Sequence, residues 1–255
     1  MITNILVTNW HIIILFFMIA VLYSSVGFGG GSSYLAILAL TGITFTELRL
    51  ISLACNIVVV SVNVFHFQKQ KMYDWKKVIP IIFFSIPLAF IGGYIEITQK
   101  IFFIFLGCTL LIASITMWFT PKIISNHIPK SSISISKNTM YSGLIGFISG
   151  MVGIGGGIFL APLLYVRQWD SPMRIAAIAS LFILLNSLSG IIGQSFNPKF
   201  SINWYLIIPL LVTVFIGAYI GSKINNRYLT PNQIKKGTAI IIAYVSIQIL
   251  SKYIF

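Results

Sequence analysis

The chain has 255 residues, of which 57% are hydrophobic and 8% charged, and its mean hydropathy is +0.95. An average soluble domain carries roughly 25% charged residues, so a water-soluble globular class is excluded and lipid is the expected solvent. The formal charge of +13 is carried by short segments between apolar runs. No soluble region is left to present a basic face, which excludes a nucleic-acid-binding module.

In chain order, the first apolar piece covers residues 5–26. It follows no basic n-region and leads straight into a repeated motif, so it is expected to be retained and not cleaved as a signal. The cluster Val26-Gly27-Phe28-Gly29-Gly30-Gly31 joins it to a second short piece at 32–40. Three runs follow at 48–67, 78–95 and 101–119, each close to the roughly 20 residues that cross a bilayer core. Residues 120–137, with Pro121, Pro129 and three lysines, read as a linker.

Beyond the linker the order repeats. A piece at 139–152, the cluster Val152-Gly153-Ile154-Gly155-Gly156-Gly157 and a piece at 158–166 precede long runs at 175–193, 204–221 and 238–255. The two clusters are offset by 126 residues, almost half the chain. The expected organisation is a first membrane repeat at 1–120, a cytoplasmic linker at 121–137 and a second membrane repeat at 138–255. Tryptophans at run ends, Trp75, Trp118, Trp169 and Trp204, fit an interfacial anchoring belt.

Charge placement selects the topology. If each glycine-linked pair is one crossing, lysines and arginines divide nine to eight between the two sides. If each pair is a hairpin returning to its side of entry, either re-entrant or fully spanning, the division becomes thirteen against Arg49, Lys100, Lys199 and Lys252. The positive-inside rule favours the hairpins and puts both termini outside. Each half then holds one hairpin and three crossings, an odd number, so the halves enter from opposite sides. The expected fold is an all-α integral membrane protein of two inverted-topology repeats with about eight to ten helical segments, an architecture typical of secondary transporters. Re-entrant tips would approach each other near the midplane, with a substrate site between them.

The residues at those tips argue for an anion. A helix is expected directly after each cluster, at Ser32-Ser33 and at Ile158, and the free N–H groups of a helix start carry roughly half a positive charge. Glycines there let an oxyanion approach the backbone. The candidate substrate-binding residues are Gly29, Gly30, Gly31, Ser32, Ser33 and Asn56 in the first half, and Gly155, Gly156, Gly157, Ser180, Asn186 and Ser187 in the second. Close helix packing explains isolated glycines such as Gly107. Packing asks for a spacing of about four residues, however, and not for three glycines in a row.

Asn56, Asn63, Asn186 and Ser187 fall in mid-span, where site lining and interhelical hydrogen bonding both remain open. Ser61 and Ser189 share those spans, where lipid contact is costly. His11, His66, Gln194 and Asn197 lie near run ends, where water can satisfy them. Arg49 and Arg174, at matched positions, either draw an anion toward a vestibule or snorkel to headgroups.

Two stretches carry a resemblance: Gly27-Phe28-Gly29-Gly30-Gly31, and the longer run from Gly143 through Gly153-Ile154-Gly155-Gly156-Gly157 to Ala161-Pro162-Leu163-Leu164. Around them the sequence resembles the sulfite exporter TauE/SafE family of membrane permeases. More weakly, Arg49 and Asn56 match Arg174 and Ser180-Leu181, offset by 125 or 124. The first copy departs from the second in carrying Ala36 where the symmetric position holds Pro162. The resemblance implies transport of small sulfur-containing anions such as sulfite, sulfonates or related organic acids, with members differing in substrate and direction. The expected location is the bacterial cytoplasmic membrane.

The four acidic residues, Glu47, Asp74, Glu96 and Asp170, fall in loops or near span ends. No carboxylate is expected at the midplane, so coupling takes another route, the substrate moves protonated, or it follows its own gradient; Glu96 is the one candidate relay. Cys55 and Cys108 lie inside spans without metal or disulfide spacing, and no serine is matched by a histidine at comparable depth. An enzyme is not expected, nor a cofactor or metal. The expected partners are a small anionic substrate and membrane lipid, with the oligomeric state open. An anion channel and a non-transporting membrane scaffold or assembly subunit stand as alternatives.

Overall fold

The computed structural model describes residues 10–119 and 135–254, except 168, 199, 201 and 225–230. These residues form ten helices: α1 (Trp10–Ser25), α2 (Gly31–Ala39), α3 (Phe45–Lys69), α4 (Trp75–Tyr94), α5 (Gln99–Phe119), α6 (Ile135–Val152), α7 (Gly157–Val166), α8 (Pro172–Ser195), α9 (Trp204–Ile224) and α10 (Pro231–Ile254). No strand occurs among the described residues. Of the expected linker, residues 120–134 lie outside the described residues, and α6 begins at Ile135.

Among the described residues five helices, α3, α4, α5, α8 and α9, are long and apolar enough to cross a membrane. The sixth expected run falls in α10, whose described apolar part is Ile242–Ile254. The helices that follow the glycine clusters are much shorter, 9 residues in α2 and 10 in α7. At about 1.5 Å per residue each rises only about 15 Å, half of a hydrocarbon core of about 30 Å. Neither returning arm of a hairpin can therefore be a full crossing.

The packing repeats between the halves. Helix α4 packs on α6 and α8, and α9 packs on α1 and α3. Helix α2 meets α3 and α10, while α7 meets α8 and α5. The pairs α3–α8 and α5–α10 each join the two halves. Every one of these pairings maps onto another when α1–α5 are exchanged with α6–α10. Helices α8 and α3 occupy the centre: 72% and 56% of their apolar windows are buried, against 39% for α4 and for α9.

Small residues bring the backbones together. Gly146 and Gly150 of α6 lie against Ser85 and Ala89 of α4, and Gly93 of α4 lies against Gly190 of α8. In the symmetry-related contact, which likewise joins the two halves, Gly217 and Gly221 of α9 face Phe17, Ala20 and Val21 of α1. A side chain at any of these positions meets a neighbouring backbone, the close approach that membrane helices use in place of hydrophobic association. Gly107 packs on Leu250, as expected of an isolated packing glycine. The outward faces of α4 and α9 remain apolar, with Phe83, Phe84, Ile208 and Phe215 all exposed, as lipid contact requires.

Candidate anion site at the glycine tips

Helix α1 ends in a Schellman turn. Phe28 N–H donates to the Tyr23 carbonyl at 2.9 Å and Gly27 N–H to the Ser24 carbonyl at 3.1 Å, with Gly27 left-handed at φ +81°, a conformation that favours glycine. The chain then turns into α2 with Gly30 as N-cap, φ −132°, which needs no glycine for conformation. Helices α2 and α7 start at Gly31 and Gly157, one residue earlier than the sequence suggests.

The tip at residues 153–157, which is the inner one when the lysine-rich end faces the cytoplasm, the tip at 27–31 then being the outer one, is built differently. Gly153, Gly155 and Gly156 all hold positive φ, between +82° and +88°. Gly156 is the left-handed N-cap of α7 and supplies no side-chain cap. Phe159 and Leu160 N–H both donate to the Gly156 carbonyl at 3.1 Å, so the unshared donors of the first turn of α7 are Gly157 and Ile158.

Both tips converge on one side chain at the midpoint of α3. Asn56, fully buried, accepts a hydrogen bond from Gly30 N–H at 3.1 Å through Oδ1 and donates through Nδ2 to the Ile154 carbonyl at 2.9 Å. One turn earlier, Ser52 Oγ lies 2.9 Å from both the Gly31 and the Gly153 carbonyl oxygens. A Cβ on Gly155 would stand 2.7 Å from Asn56 Nδ2, and one on Gly31 would stand 2.6 Å from the Ile154 carbonyl oxygen. The N-termini of α2 and α7 therefore meet near the centre of the bundle and place two partial positive charges there.

Each remaining candidate has a definite place. Gly29 lies against the Asn56 amide. Ser32 is buried, and Ser33 Oγ is 2.9 Å from the Tyr23 hydroxyl. Gly157 packs on Ile183 of α8, and Gly155 lies beside Ser187. Asn186 is fully buried and donates Nδ2 to the Phe182 carbonyl at 2.8 Å. Ser180 is not at the inner tip: its hydroxyl reaches the Gly27 carbonyl of the outer hairpin and the Ala176 carbonyl of its own helix. Asn63 also serves the outer hairpin, binding Ser24 Oγ at 2.8 Å and the Phe28 carbonyl at 3.3 Å.

Arg49 neither snorkels nor lines a vestibule. It is 2% exposed, and its Nη2 donates to the carbonyls of Gly150 at 3.0 Å, Gly93 at 3.1 Å and Gly92 at 3.4 Å. Those carbonyls belong to the last turns of α6 and α4, the negative ends of two helix dipoles, so Nη2 is compensated without a carboxylate, while Nε is buried without a partner. Its sequence counterpart Arg174 is 45% exposed and pairs with Asp170 at 3.5 Å, and Asp170 also holds Lys77 at 3.2 Å. Gln194 is 2% exposed; its amide nitrogen donates to the Thr46 carbonyl at 2.7 Å while its Oε1 is buried without a partner, so it sits inside the protein and not in interfacial water. Ser61 faces outward and is satisfied by the Ile57 carbonyl at 2.6 Å.

Sequence reasoning missed Ser52, which lies one turn before Asn56 on the same face, and Ser149, which lies inside the second glycine motif. Spacing alone contained the signal for both. Among the described residues no group of three or more His, Cys, Asp or Glu side chains is placed to hold a metal ion.

These features define a polytopic helical membrane protein with paired, glycine-tipped half-helices. The family model for the sulfite exporter TauE/SafE matches residues 12–249. A "probable membrane transporter protein y4hK" from Sinorhizobium fredii is 30% identical over 244 residues, covering 93% of this chain and 96% of that one. A "probable membrane transporter protein MJ0441" from Methanocaldococcus jannaschii is 28% identical over 251 residues, covering 86% and 88%. A third, "probable membrane transporter protein YunE" from Bacillus subtilis, is 23% identical and covers 64% of this chain and 65% of its own. No solved structure matches the chain significantly. The chain belongs to the sulfite exporter TauE/SafE family and is an integral, multi-pass membrane transporter of that family.

Proposed function

We propose that this transporter is a permease for small anions, sulfur oxyanions or organosulfonates, that works by alternating access around the two glycine tips. The observation that carries the reading is the convergence of both half-helix N-termini on Asn56, which binds Gly30 N–H and the Ile154 carbonyl at once. Helix dipoles aimed at a buried point favour negative charge, and discontinuous helices meeting at mid-depth are the arrangement secondary transporters use. The exchange symmetry of the helix pairings supports two halves of inverted topology, residues 1–120 and 138–255 joined by a cytoplasmic linker, with one half rocking against the other. The printed family description supports sulfite as the first substrate to test.

In this reading the thirteen-to-four division of basic residues places the lysine-rich end in the cytoplasm and both termini outside, in a bacterial cytoplasmic membrane. The substrate-binding residues are the twelve glycines, serines and asparagines of the two tips and of α3 and α8. A thermal-shift series on the purified protein with sulfite, thiosulfate, sulfonates and carboxylates tests it. A sulfur anion should raise the apparent melting temperature in a saturable manner. Equal, non-saturating effects from all salts, chloride included, would count against a specific anion site.

A further inference from the structure

The two tips differ in how their polar groups are used. At the outer tip the Asn56 carboxamide occupies the space in front of the α2 N-terminus and takes the Gly30 N–H, while Ser52 takes the Gly31 carbonyl. Protein atoms fill that cradle.

The inner tip is packed as closely, a Cβ on Gly155 meeting Ile183 Cγ2 at 2.8 Å, but several of its polar side-chain atoms are left without partners. Seven buried side-chain polar atoms among the described residues have no hydrogen-bond partner, and three of them, Ser149 Oγ, Asn186 Oδ1 and Ser187 Oγ, belong to α6 and α8, the two helices that flank α7. All three residues are 0% exposed. A Cβ on Gly155 would stand 3.0 Å from Ser187 Oγ, and one on Gly156 would stand 3.2 Å from Ser149 Cβ and 2.8 Å from Phe182 Cε1. Asn186 lies one turn after Phe182 and one turn before Gly190, and a Cβ on Gly190 would stand 3.5 Å from Gly150 Cα. Residues four apart share a helix face, so Asn186 faces the stretch from Ser149 to Gly156. Buried polar atoms normally find partners; three orphans beside an uncapped helix N-terminus mark a place for a ligand.

The donor and acceptor inventory restricts that ligand. The N–H groups of α7 can only donate, and the hydroxyls of Ser149 and Ser187 can donate as well. The Asn186 amide nitrogen is committed to the Phe182 carbonyl, which can only accept, so Oδ1 is left as a pure acceptor. A fully deprotonated oxyanion would leave that oxygen unsatisfied and facing negative charge.

We propose that the inner tip is the specific binding subsite and that it takes a singly protonated oxyanion, its bare oxygens on α7 and the two serines, its O–H on Asn186 Oδ1. The proposal rests on the anion-permease reading and adds the protonation state of the substrate. The proton then crosses with the substrate, and no side-chain relay is needed. Of the charged and titratable groups on elements meeting here, Arg49 lies against Gly153 with its Nη2 on carbonyls of α4 and α6 and its Nε unpartnered, a buried positive charge that favours an anion, and Tyr34 and Cys55 are buried on the outer-hairpin side. Helices α4, α6, α7 and α8 carry theirs at or near their ends: Lys76, Lys77, Tyr94, Tyr141, Tyr165 and Arg174.

The test is calorimetric binding to the full-length protein, using sulfite on the acidic and alkaline sides of the hydrogen sulfite pKa and, at each pH, methanesulfonate, a single charge with no proton. Wild type should follow the concentration of hydrogen sulfite and bind methanesulfonate at least roughly tenfold more weakly, because the analogue leaves a buried acceptor unpaired. Asn186→Leu should abolish that preference, and Ser187→Ala should weaken both ligands without changing their ratio. Equal affinity of wild type for the two ligands, or a preference that survives in Asn186→Leu, overturns the protonated-ligand subsite while leaving an anion permease intact. Failure of wild type to bind any of these anions overturns both readings. The wild-type comparison stands even if the Asn186 variant does not fold.

Discussion

Replacing Arg49 tests whether a single cation fastens two helix ends beneath the inner tip. Arg49→Leu keeps apolar volume but removes Nη2 from the Gly150, Gly93 and Gly92 carbonyls at 3.0, 3.1 and 3.4 Å. The two shorter contacts dominate, since hydrogen bonds weaken beyond about 3.2 Å, and a hydrogen bond to a charged group contributes about 1.5–3 kcal/mol net. Removing the guanidinium also removes its desolvation cost, so the expected net loss is about 2–4 kcal/mol. For a chain of this size that corresponds to a fall of very roughly 5–15 °C in apparent melting temperature. Arg49→Lys retains the charge but not the planar fork, and should recover about half of the loss. Arg174→Leu is the control: the Arg174 side chain is 45% exposed and Asp170 keeps Lys77 at 3.2 Å when the guanidinium is removed, so the expected loss is about 0–1 kcal/mol. Intrinsic tryptophan fluorescence during heating of the detergent-purified full-length protein provides the readout. The reasoning fails if Arg49→Leu melts with wild type, or if Arg174→Leu costs as much as Arg49→Leu.

Other expectations follow from the tips themselves. Gly156→Ala places a side chain at φ +82° and 2.8 Å from Phe182 Cε1; left-handed strain alone costs about 1–2 kcal/mol, so it should be more destabilising than Gly42→Ala, where φ is +74° but nothing lies within 4 Å. Asn56→Leu breaks both tip bonds and should lower stability by about 2–4 kcal/mol while abolishing anion-induced stabilisation, measured by thermal shift. Lys71→Gly should raise the melting temperature slightly, because Lys71 sits at φ +54°, where glycine carries no steric penalty. For topology, Lys71→Cys and Lys235→Cys, each made singly in a cysteine-free background, should resist an impermeant external thiol reagent in intact cells; labelling of both from outside would reverse the charge assignment.

The repeat and its hairpins were legible because three consecutive glycines interrupt an apolar run in a way that no helix interior tolerates well. The long runs map onto the helices; the sequence leaves open whether the second arms cross fully, and their 9 and 10 helical residues show that they do not. What the sequence could not display was which ends meet. Arg49 looks like an interfacial cation until the last turns of α4 and α6 are seen to converge on it. Gln194 looks wet until Thr46 of α3 is found beside it. Ser180 belongs to the second half in sequence, yet α8 packs across α3 and carries that hydroxyl to Gly27 of the first. Ser61 misled in the other direction, because a hydroxyl can satisfy itself on the carbonyl four residues earlier and face lipid. The asymmetry between the tips was hinted at by Ala36 opposite Pro162. Its actual origin is one side chain, Asn56, which fills the outer cradle and braces the inner one.

Counterflow in proteoliposomes tests the central claim most directly. Vesicles loaded with unlabelled sulfite should take up labelled sulfite transiently, faster than unloaded vesicles and in a saturable manner, and Asn56→Leu should abolish the effect. Ohmic anion current without saturation or trans-stimulation would contradict alternating access, and the absence of any protein-dependent sulfite uptake would contradict the substrate assignment.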